Sequence, residues 1–467
     1  MILDGLPHET ILRSLEAEDS AVTPLKDFYL WLDLKRQQNP LTVRPIAFGE
    51  LEQWHFTQPD TALAHRSGKF FTVEGLRVET DFGPLTHWEQ PIINQPEVGI
   101  LGFITRSFGG VLHFLVQGKV EPGNINGVQL TPTLQATRSN YTLVHGGNEP
   151  PYSAEFLVPG RTQILVDRLM TEQGSRFLRK RNRNMIVLAE HEISCHENFC
   201  WLTLGQIKQL LKQDNLVNMS MRSVLSSLAM ARSACLDSSE LGVATQSPSR
   251  SRSHRSFHSN NHALNWLSQL RARYQLKLER RPLDQLAGWV MEEDVIRHES
   301  GRHFSVAAIE VTATARETAH WTQPILRHSG HGLNGFLVQR MDGVLHFLVQ
   351  ACMFPGHRDV FKLGSTIARS NPEPLFNTPQ APPFLEYFRD PPAESIRFNA
   401  LHSEEGGRFL HHQSRYMIVE LPENTIRDLP AHYCWMTLSQ LALFNHFDEI
   451  TIEGRNLMAC LDDTQFF

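Results

Sequence analysis

The chain has 467 residues with 44 Lys and Arg against 50 Asp and Glu, a formal net charge of −6 that argues against a nucleic-acid binder held by broad electrostatics. A hydrophobic fraction of 41% and a charged fraction of 20% are ordinary for a soluble globular protein, and no apolar run approaches the roughly 18 residues of a membrane span. Met1-Ile2-Leu3-Asp4 lacks a signal peptide's basic flank and apolar stretch, and the six cysteines form no Cys-x-x-Cys pair, so free thiols in a reducing cytoplasm are expected.

In chain order, the first predicted element is a helix over Pro24-Leu25-Lys26-Asp27-Phe28-Tyr29-Leu30-Trp31-Leu32, whose apolar residues fall at helical spacing. Short apolar strands broken by Gly, Pro and Asn turns follow. One is Gly109-Gly110-Val111-Leu112-His113-Phe114-Leu115-Val116-Gln117. As a strand it sets Val111, His113, Leu115 and Gln117 on one face and Leu112, Phe114 and Val116 on the other. Such a strand can line a pocket, which nominates His113 and Gln117; a hydrogen-bonded core histidine is the alternative for His113.

Pro132 to Tyr141 comes next, where Thr133, Gln135, Thr137 and Ser139 alternate with Leu134, Ala136, Arg138 and Asn140. So dense a polar run is costly in a strand unless its groups meet a ligand or each other, an exposed edge strand being the alternative. Gly174 to Asn184 then carries Arg176, Arg179, Lys180, Arg181 and Arg183, anchored by Phe177 and by Met185-Ile186-Val187-Leu188. Guanidinium forks suit phosphate oxygens, so a diphosphate ligand fits; a solvated basic loop is the alternative. Thr203-x-x-Gln206 before Ile207, Leu210 and Leu211 predicts a capping box on a closing amphipathic helix.

The series then recurs. Val111 to Gln117 returns as Val344 to Gln350, Trp31-Leu32 as Trp266-Leu267, Trp88-Glu89-Gln90-Pro91 as Trp321-Thr322-Gln323-Pro324, Arg176-Phe177-Leu178 as Arg408-Phe409-Leu410, and Thr203-x-x-Gln206 as Thr437-x-x-Gln440. So long a period marks duplication of a whole domain, not a solenoid. Helix, strands and helix in one unit read as α+β. The expected organisation is a first repeat over 1–236, a flexible Ser/Arg-rich linker over 237–262 and a second repeat over 263–467. His254, His258 and His262 are spaced for one helix face, but in a disordered linker that spacing is read as chance.

There is no Gly-x-x-x-x-Gly-Lys-Ser/Thr loop, no strand-linked Gly-x-Gly-x-x-Gly, no Gly-x-Ser-x-Gly and no His-Glu-x-x-His, and no acidic or histidine cluster nominates a metal site. The segments that are present, Val111 to Gln117, Pro132 to Tyr141 and Gly174 to Asn184, resemble the signatures of the NDP-hexose 2,3-dehydratases, over both halves outside the first twenty residues and the linker. The resemblance implies an α+β chain made by tandem duplication of a Nudix-like αβ domain with mixed β-sheets and flanking helices, without a working Nudix metal box. It also implies a homodimer that needs no cofactor. The implied substrate is a nucleoside-diphospho-4-keto-6-deoxyhexose, foremost the dTDP-glucose derivative. The product is its 3,4-diketo-2,6-dideoxy sugar, passed to a 3-ketoreductase or 3-aminotransferase.

Within that chemistry His113 and Tyr141 are the candidate acid and base, since an imidazole titrates near neutrality. Gln117 and Gln135 are candidates to hold hydroxyls or the keto oxygen. Trp88 is a candidate to stack on the nucleobase, an indole in a core being equally open. Thr133, Thr137, Arg138 and Ser139 are substrate candidates, and Arg176, Arg179, Lys180, Arg181 and Arg183 are phosphate candidates. The second half places Ala368 opposite Gln135, loses the tyrosine and thins Arg179-Lys180-Arg181 to His411-His412-Gln413, so the first half is the better equipped. Two other readings remain at this point, a Nudix-like nucleotide-sugar pyrophosphatase and a non-catalytic nucleotide-sugar binding protein.

Overall fold

The computed structural model describes residues 8–138, 149–228, 256–314, 318–376 and 378–461. Each half is built around a seven-stranded mixed sheet. In the first half the order is Gln163–Thr171, Arg181–Leu188, Ile100–Phe108, Val111–Val120 and Phe199–Thr203. Arg181–Leu188 runs parallel to Ile100–Phe108, while Val111–Val120 is antiparallel to its neighbours. The alternation expected along Val111–Val120 holds: Leu112, Phe114 and Val116 enter one core, and Leu115 enters another with Met185 and Trp201.

The second sheet repeats this order around Val344–Cys352. Gln135 sits opposite Leu101, and Ala368 sits opposite Asn334 at the matching point of the second sheet. The second half therefore has a methyl where the first has an amide.

Each half also carries part of a smaller sheet, and here the halves exchange strands. Leu41–Ile46, following the first opening helix, pairs antiparallel with Ser305–Ala313 of the second half. Leu276–Arg281, following the second opening helix, pairs in the same way with Thr72–Thr80 of the first. Between the two small sheets lies a core drawn from both halves, with Ile46, Trp54, Phe71 and Phe177 against Ile296, Phe304, Val306 and Phe409.

The opening helix Leu25–Gln38 buries Phe28, Leu32 and Lys35, one stripe of its surface. The closing helices Leu204–Leu210 and Leu438–His446 start in the expected capping boxes: Thr203 and Thr437 accept from the Gln206 and Gln440 backbone N–H. These helices share one core with a central pair, Met219–Leu225 and Ile452–Cys460. Each member of that pair carries a fully buried arginine that reaches into the other half. Arg222 Nη2 donates to Ser403 O at 3.0 Å, and Arg455 Nη2 donates to Thr171 O at 2.7 Å.

Two segments differ from expectation. Helix His8–Glu16 belongs to the fold: Ile11 and Leu15 are buried, and Ser14 Oγ donates to Leu112 O and accepts from Leu204 N–H. Of the expected linker, 237–255 lies outside the described residues with His254, while its last residues open a helix, Asn260–Arg273, whose N-cap Ser259 accepts from His262 N–H. His258 and His262 stack at 4.1 Å, and no metal-holding group occurs among the described residues. No helix among them is long and apolar enough to cross a membrane.

Because each small sheet needs a strand from the other half, the halves should not fold alone. Expressed separately, after division within 229–255, neither should give a cooperative thermal transition, whereas co-expressed halves should co-purify and unfold as one. A half that melts cooperatively by itself would contradict the exchange.

Candidate active site

A cleft of about 830 Å³ opens at one end of the first half's large sheet. The first half supplies Gln117, Lys119 and Glu121 from one strand and the turn after it, and Thr133, Gln135 and Thr137 from the polar run. It also supplies Glu172, Lys180 and Asn182, which flank the turn carrying the basic run. The second half contributes Trp321, Gln323, Glu405 and Arg408 to the same cleft.

Many of the expected site residues meet here. Gln135 Oε1 accepts from Asn218 Nδ2 and its amide donates to Glu121 Oε1, both at 3.1 Å, so its orientation is fixed. Gln117 accepts from Thr131 Oγ1 at 3.5 Å. Thr133 lines the cleft, but its hydroxyl is spent on the backbone: it donates to Leu115 O and accepts from Ile104 N–H. Thr366 does the same for Leu348 and Leu337 in the second half, so this threonine ties sheet strands together. Lys180 is buried and donates to Glu97 O. Burial is the larger influence on its ammonium, partly offset by Glu172 and Glu405, and brings it down to about 8.

The basic run divides by strand alternation and by the exchange. Arg181 and Arg183 lie on the strand face opposite Lys180 and Asn182. Arg183 makes a bidentate pair with Asp167, at 2.6 and 2.5 Å, and lines a small separate recess with exposed Arg138. Arg179 is exposed, in the left-handed region at φ 51°. Arg176, expected in the first-half cleft, crosses to the second half. Its guanidinium stacks on Phe304 at 4.1 Å and donates to His328 Nε2 at 3.1 Å. Arg408 makes the reciprocal crossing, stacking on Phe71 at 4.1 Å in the first-half cleft.

Trp88 is not among the residues of this cleft: it packs against the cluster of Leu76, Val78 and Ile92, its indole donates to Gln90, and its counterpart Trp321 lines the first-half cleft. Trp54, Phe70, Phe71 and His65 complete an aromatic wall that the sequence reading missed.

Both ring nitrogens of His113 are engaged, and His113 does not line the cleft. Nδ1 lies 2.9 Å from Val111 O, which can only accept, so Nδ1 carries the hydrogen. Nε2 then accepts from Ser20 Oγ at 2.7 Å. The second copy agrees: His346 Nδ1 donates to Val344 O, and Nε2 accepts from the Phe257 N–H at 2.8 Å. Both lone pairs are occupied, and burial holds both imidazoles below their usual range. His113 shares a face with Gln117 but stands four residues, roughly 13 Å, back along the strand. It pins the segment before the opening helix to the sheet. Tyr141 and Ser139 lie outside the described residues.

The loop bearing Glu405 and Arg408 is held by a close turn-to-turn contact. Gly123 N–H donates to Gly406 O at 2.7 Å, and a Cβ on Gly123 would fall 1.7 Å from Phe409 O, so only glycine permits the approach. The cleft thus combines several amides, an aromatic wall, Lys180, Arg408 and several carboxyls. It suits a ligand with a flat base, a diphosphate and a hydroxylated ring.

The family model for NDP-hexose 2,3-dehydratase matches residues 25–228 and 260–461, once in each half. A protein of Saccharopolyspora spinosa named dTDP-4-dehydro-6-deoxy-alpha-D-glucopyranose 2,3-dehydratase is 42% identical over 450 residues, covering 95% of this chain and 92% of its own. Proteins of the same name from Amycolatopsis orientalis and Streptomyces violaceoruber are 41% and 37% identical, covering 97% and 94% of this chain and 93% and 97% of their own.

His113→Ala tests the reassignment of this residue. Loss of two buried hydrogen bonds should lower stability by about 1–3 kcal/mol in thermal or urea melts, and Ser20→Ala should lower it less. Turnover of folded protein should stay close to wild type. A hundredfold loss of kcat with an unchanged melt would return the imidazole to the mechanism.

Proposed function

The chain belongs to the NDP-hexose 2,3-dehydratase family, and from that membership we propose that it removes water across C2 and C3 of a nucleoside-diphospho-4-keto-6-deoxyhexose, foremost the dTDP-linked glucose derivative. The product is the 3,4-diketo-2,6-dideoxy sugar. The observation that carries this reading to a place in the fold is the composite first-half cleft, with Gln117, Gln135 and Lys180 facing Arg408 and Trp321. Family membership also favours dehydration over the pyrophosphatase and the non-catalytic readings.

The chemistry sets what the cleft must do. The C4 ketone acidifies the C3 proton, its removal gives an enolate, and the C4 oxygen then needs donors already in place. Re-formation of the C4 carbonyl expels the C2 hydroxyl as water. The resulting enol takes up a proton at C2 and becomes the diketone. No step changes the overall oxidation state, so the reaction needs no external oxidant or reductant.

In this reading Lys180 and Arg408 hold the diphosphate, and Gln117 and Gln135 orient the sugar. Trp321 with Trp54 takes the nucleobase, the part first assigned to Trp88. Arg176 serves the second half, whose Ala368 and His412 leave it the poorer site. The mixed sheet and flanking helices of each half support a Nudix-like scaffold. We further infer a homodimer in the cytoplasm, and a 3-ketoreductase or 3-aminotransferase that consumes the product.

Incubation with dTDP-4-keto-6-deoxyglucose, with the labile product trapped by a 3-ketoreductase and its nicotinamide cofactor, tests the reaction. Stoichiometric nicotinamide oxidation is expected; release of dTMP, or binding without conversion, would contradict it. Arg408→Ala tests the composite cleft. Loss of one charge-assisted phosphate contact, worth about 1.5–3 kcal/mol, should raise KM by roughly ten- to a hundredfold. An unchanged KM would place the diphosphate elsewhere.

A further inference from the structure

We propose that Glu172 and Glu405, one from each half of the chain, form a carboxyl pair that holds one proton between them and performs both proton transfers of the dehydration. The proposal rests on the reaction assigned above. Both side chains line the first-half cleft. Glu172 is 4% exposed; its Oε1 accepts from Asn182 Nδ2 at 2.7 Å, while Oε2 is buried with no hydrogen-bond partner among the described residues. A buried carboxyl oxygen left unsatisfied is costly, and one that opens on a cleft is placed to meet a ligand.

The duplication supplies an internal control. Glu404 takes the position of Glu172 in the second half, at the end of strand Ile396–Ser403 as Glu172 follows Gln163–Thr171. There both carboxyl oxygens are satisfied. Oε1 accepts from Ser414 Oγ at 2.6 Å, and Oε2 accepts from Gln173 Nε2 at 2.8 Å. Gln173 is the counterpart of Glu405. The second half therefore pairs a carboxylate with an amide, which cannot exchange a proton, whereas the first half sets two carboxyls in the same cleft. Sharing a proton also limits the negative charge of a cleft that must admit a diphosphate.

Electrostatics agree with this geometry. Burial raises Glu172, opposed by Arg455 and Lys180. Burial, opposed by Arg408 and reinforced by Glu172 and Glu121, lifts Glu405 to about 7. Facing the pair are Lys180, Arg408, Arg455, Glu121 and Asp448. Two such carboxyls lose their protons in separate steps, and between those steps the pair holds one proton.

The proton count closes. The ionised carboxylate takes the C3 proton as the C3–C4 double bond forms. When the C4 carbonyl re-forms, electrons move into C2–C3, the C2–O bond breaks, and the protonated carboxyl gives its hydrogen to the departing oxygen. Water leaves, and the pair again holds one proton.

Glu405→Gln and Glu172→Gln, each assayed by product trapping and by calorimetric binding of dTDP, test the pair. Each should lower kcat by about 10²–10⁴-fold, the usual contribution of general acid–base catalysis, with dTDP affinity retained. Wild-type kcat should fall as pH rises through about 7, where Glu405 ionises, and the residual rate of Glu405→Gln should lose that limb. If Glu172→Gln does not fold, Glu405→Gln carries the test. Wild-type enzyme that converts the substrate while Glu405→Gln keeps its kcat would overturn the pair but leave the reaction standing. Loss confined to Tyr141→Phe would move proton transfer to the phenol. Wild-type enzyme with no conversion at all would instead overturn the reaction.

Discussion

The exchange of one strand between the two halves is the constraint on which the rest of the structure depends. Leu41–Ile46 completes a sheet of the second half, and Leu276–Arg281 completes one of the first. Without its guest, Thr72–Thr80 would present unpaired backbone groups along an edge, as would Ser305–Ala313. The core between these sheets and the core around the central helices both draw side chains from each half. Arg222 and Arg455 add hydrogen bonds across the same boundary. Duplication here has produced two interlocked copies, each part of the other's structure.

Interlocking decides which residues reach the cleft. The turn holding Glu405 and Arg408 docks onto Gly123, and the matching turn holding Gln173 and Arg176 docks onto Gly356. Each large sheet therefore receives its arginine from the other half. Once the site is shared in this way, a change in either copy alters both clefts, and the pair can diverge without either losing its support. The second half has used that freedom: Ala368 replaces an amide, His412 stands in the place of Lys180, and Glu404 is locked to Gln173.

Much of this was legible in the sequence, and the losses have definite causes. The repeat, the opening helices, the capping boxes and the two faces of Val111–Val120 follow from local periodicity, which the structure keeps. Strand exchange was not legible, because the alternation in Leu41–Ile46 suits either sheet equally well. That one omission left Arg176 and Trp88 in the first-half cleft, which Arg408 and Trp321, already recognised as their counterparts, line instead. The repetition of His113 in both copies fits a structural pin as well as a base, and its bonds to Val111 and Ser20 favour the pin. Glu172 and Glu405 did leave a signal. Set side by side, Glu172-Gln173-Gly174-Ser175-Arg176 and Glu404-Glu405-Gly406-Gly407-Arg408 differ at Gln173/Glu405 and Ser175/Gly407, and only the first difference adds a carboxyl.

A crystal structure of the protein with dTDP bound would test the composite cleft most directly. The account predicts diphosphate oxygens within hydrogen-bonding distance of Lys180 Nζ and the Arg408 guanidinium, with the thymine against the wall that contains Trp321 and Trp54. A first-half cleft left empty at saturating dTDP, with the nucleotide held only beside Arg176 and Phe304, would contradict it.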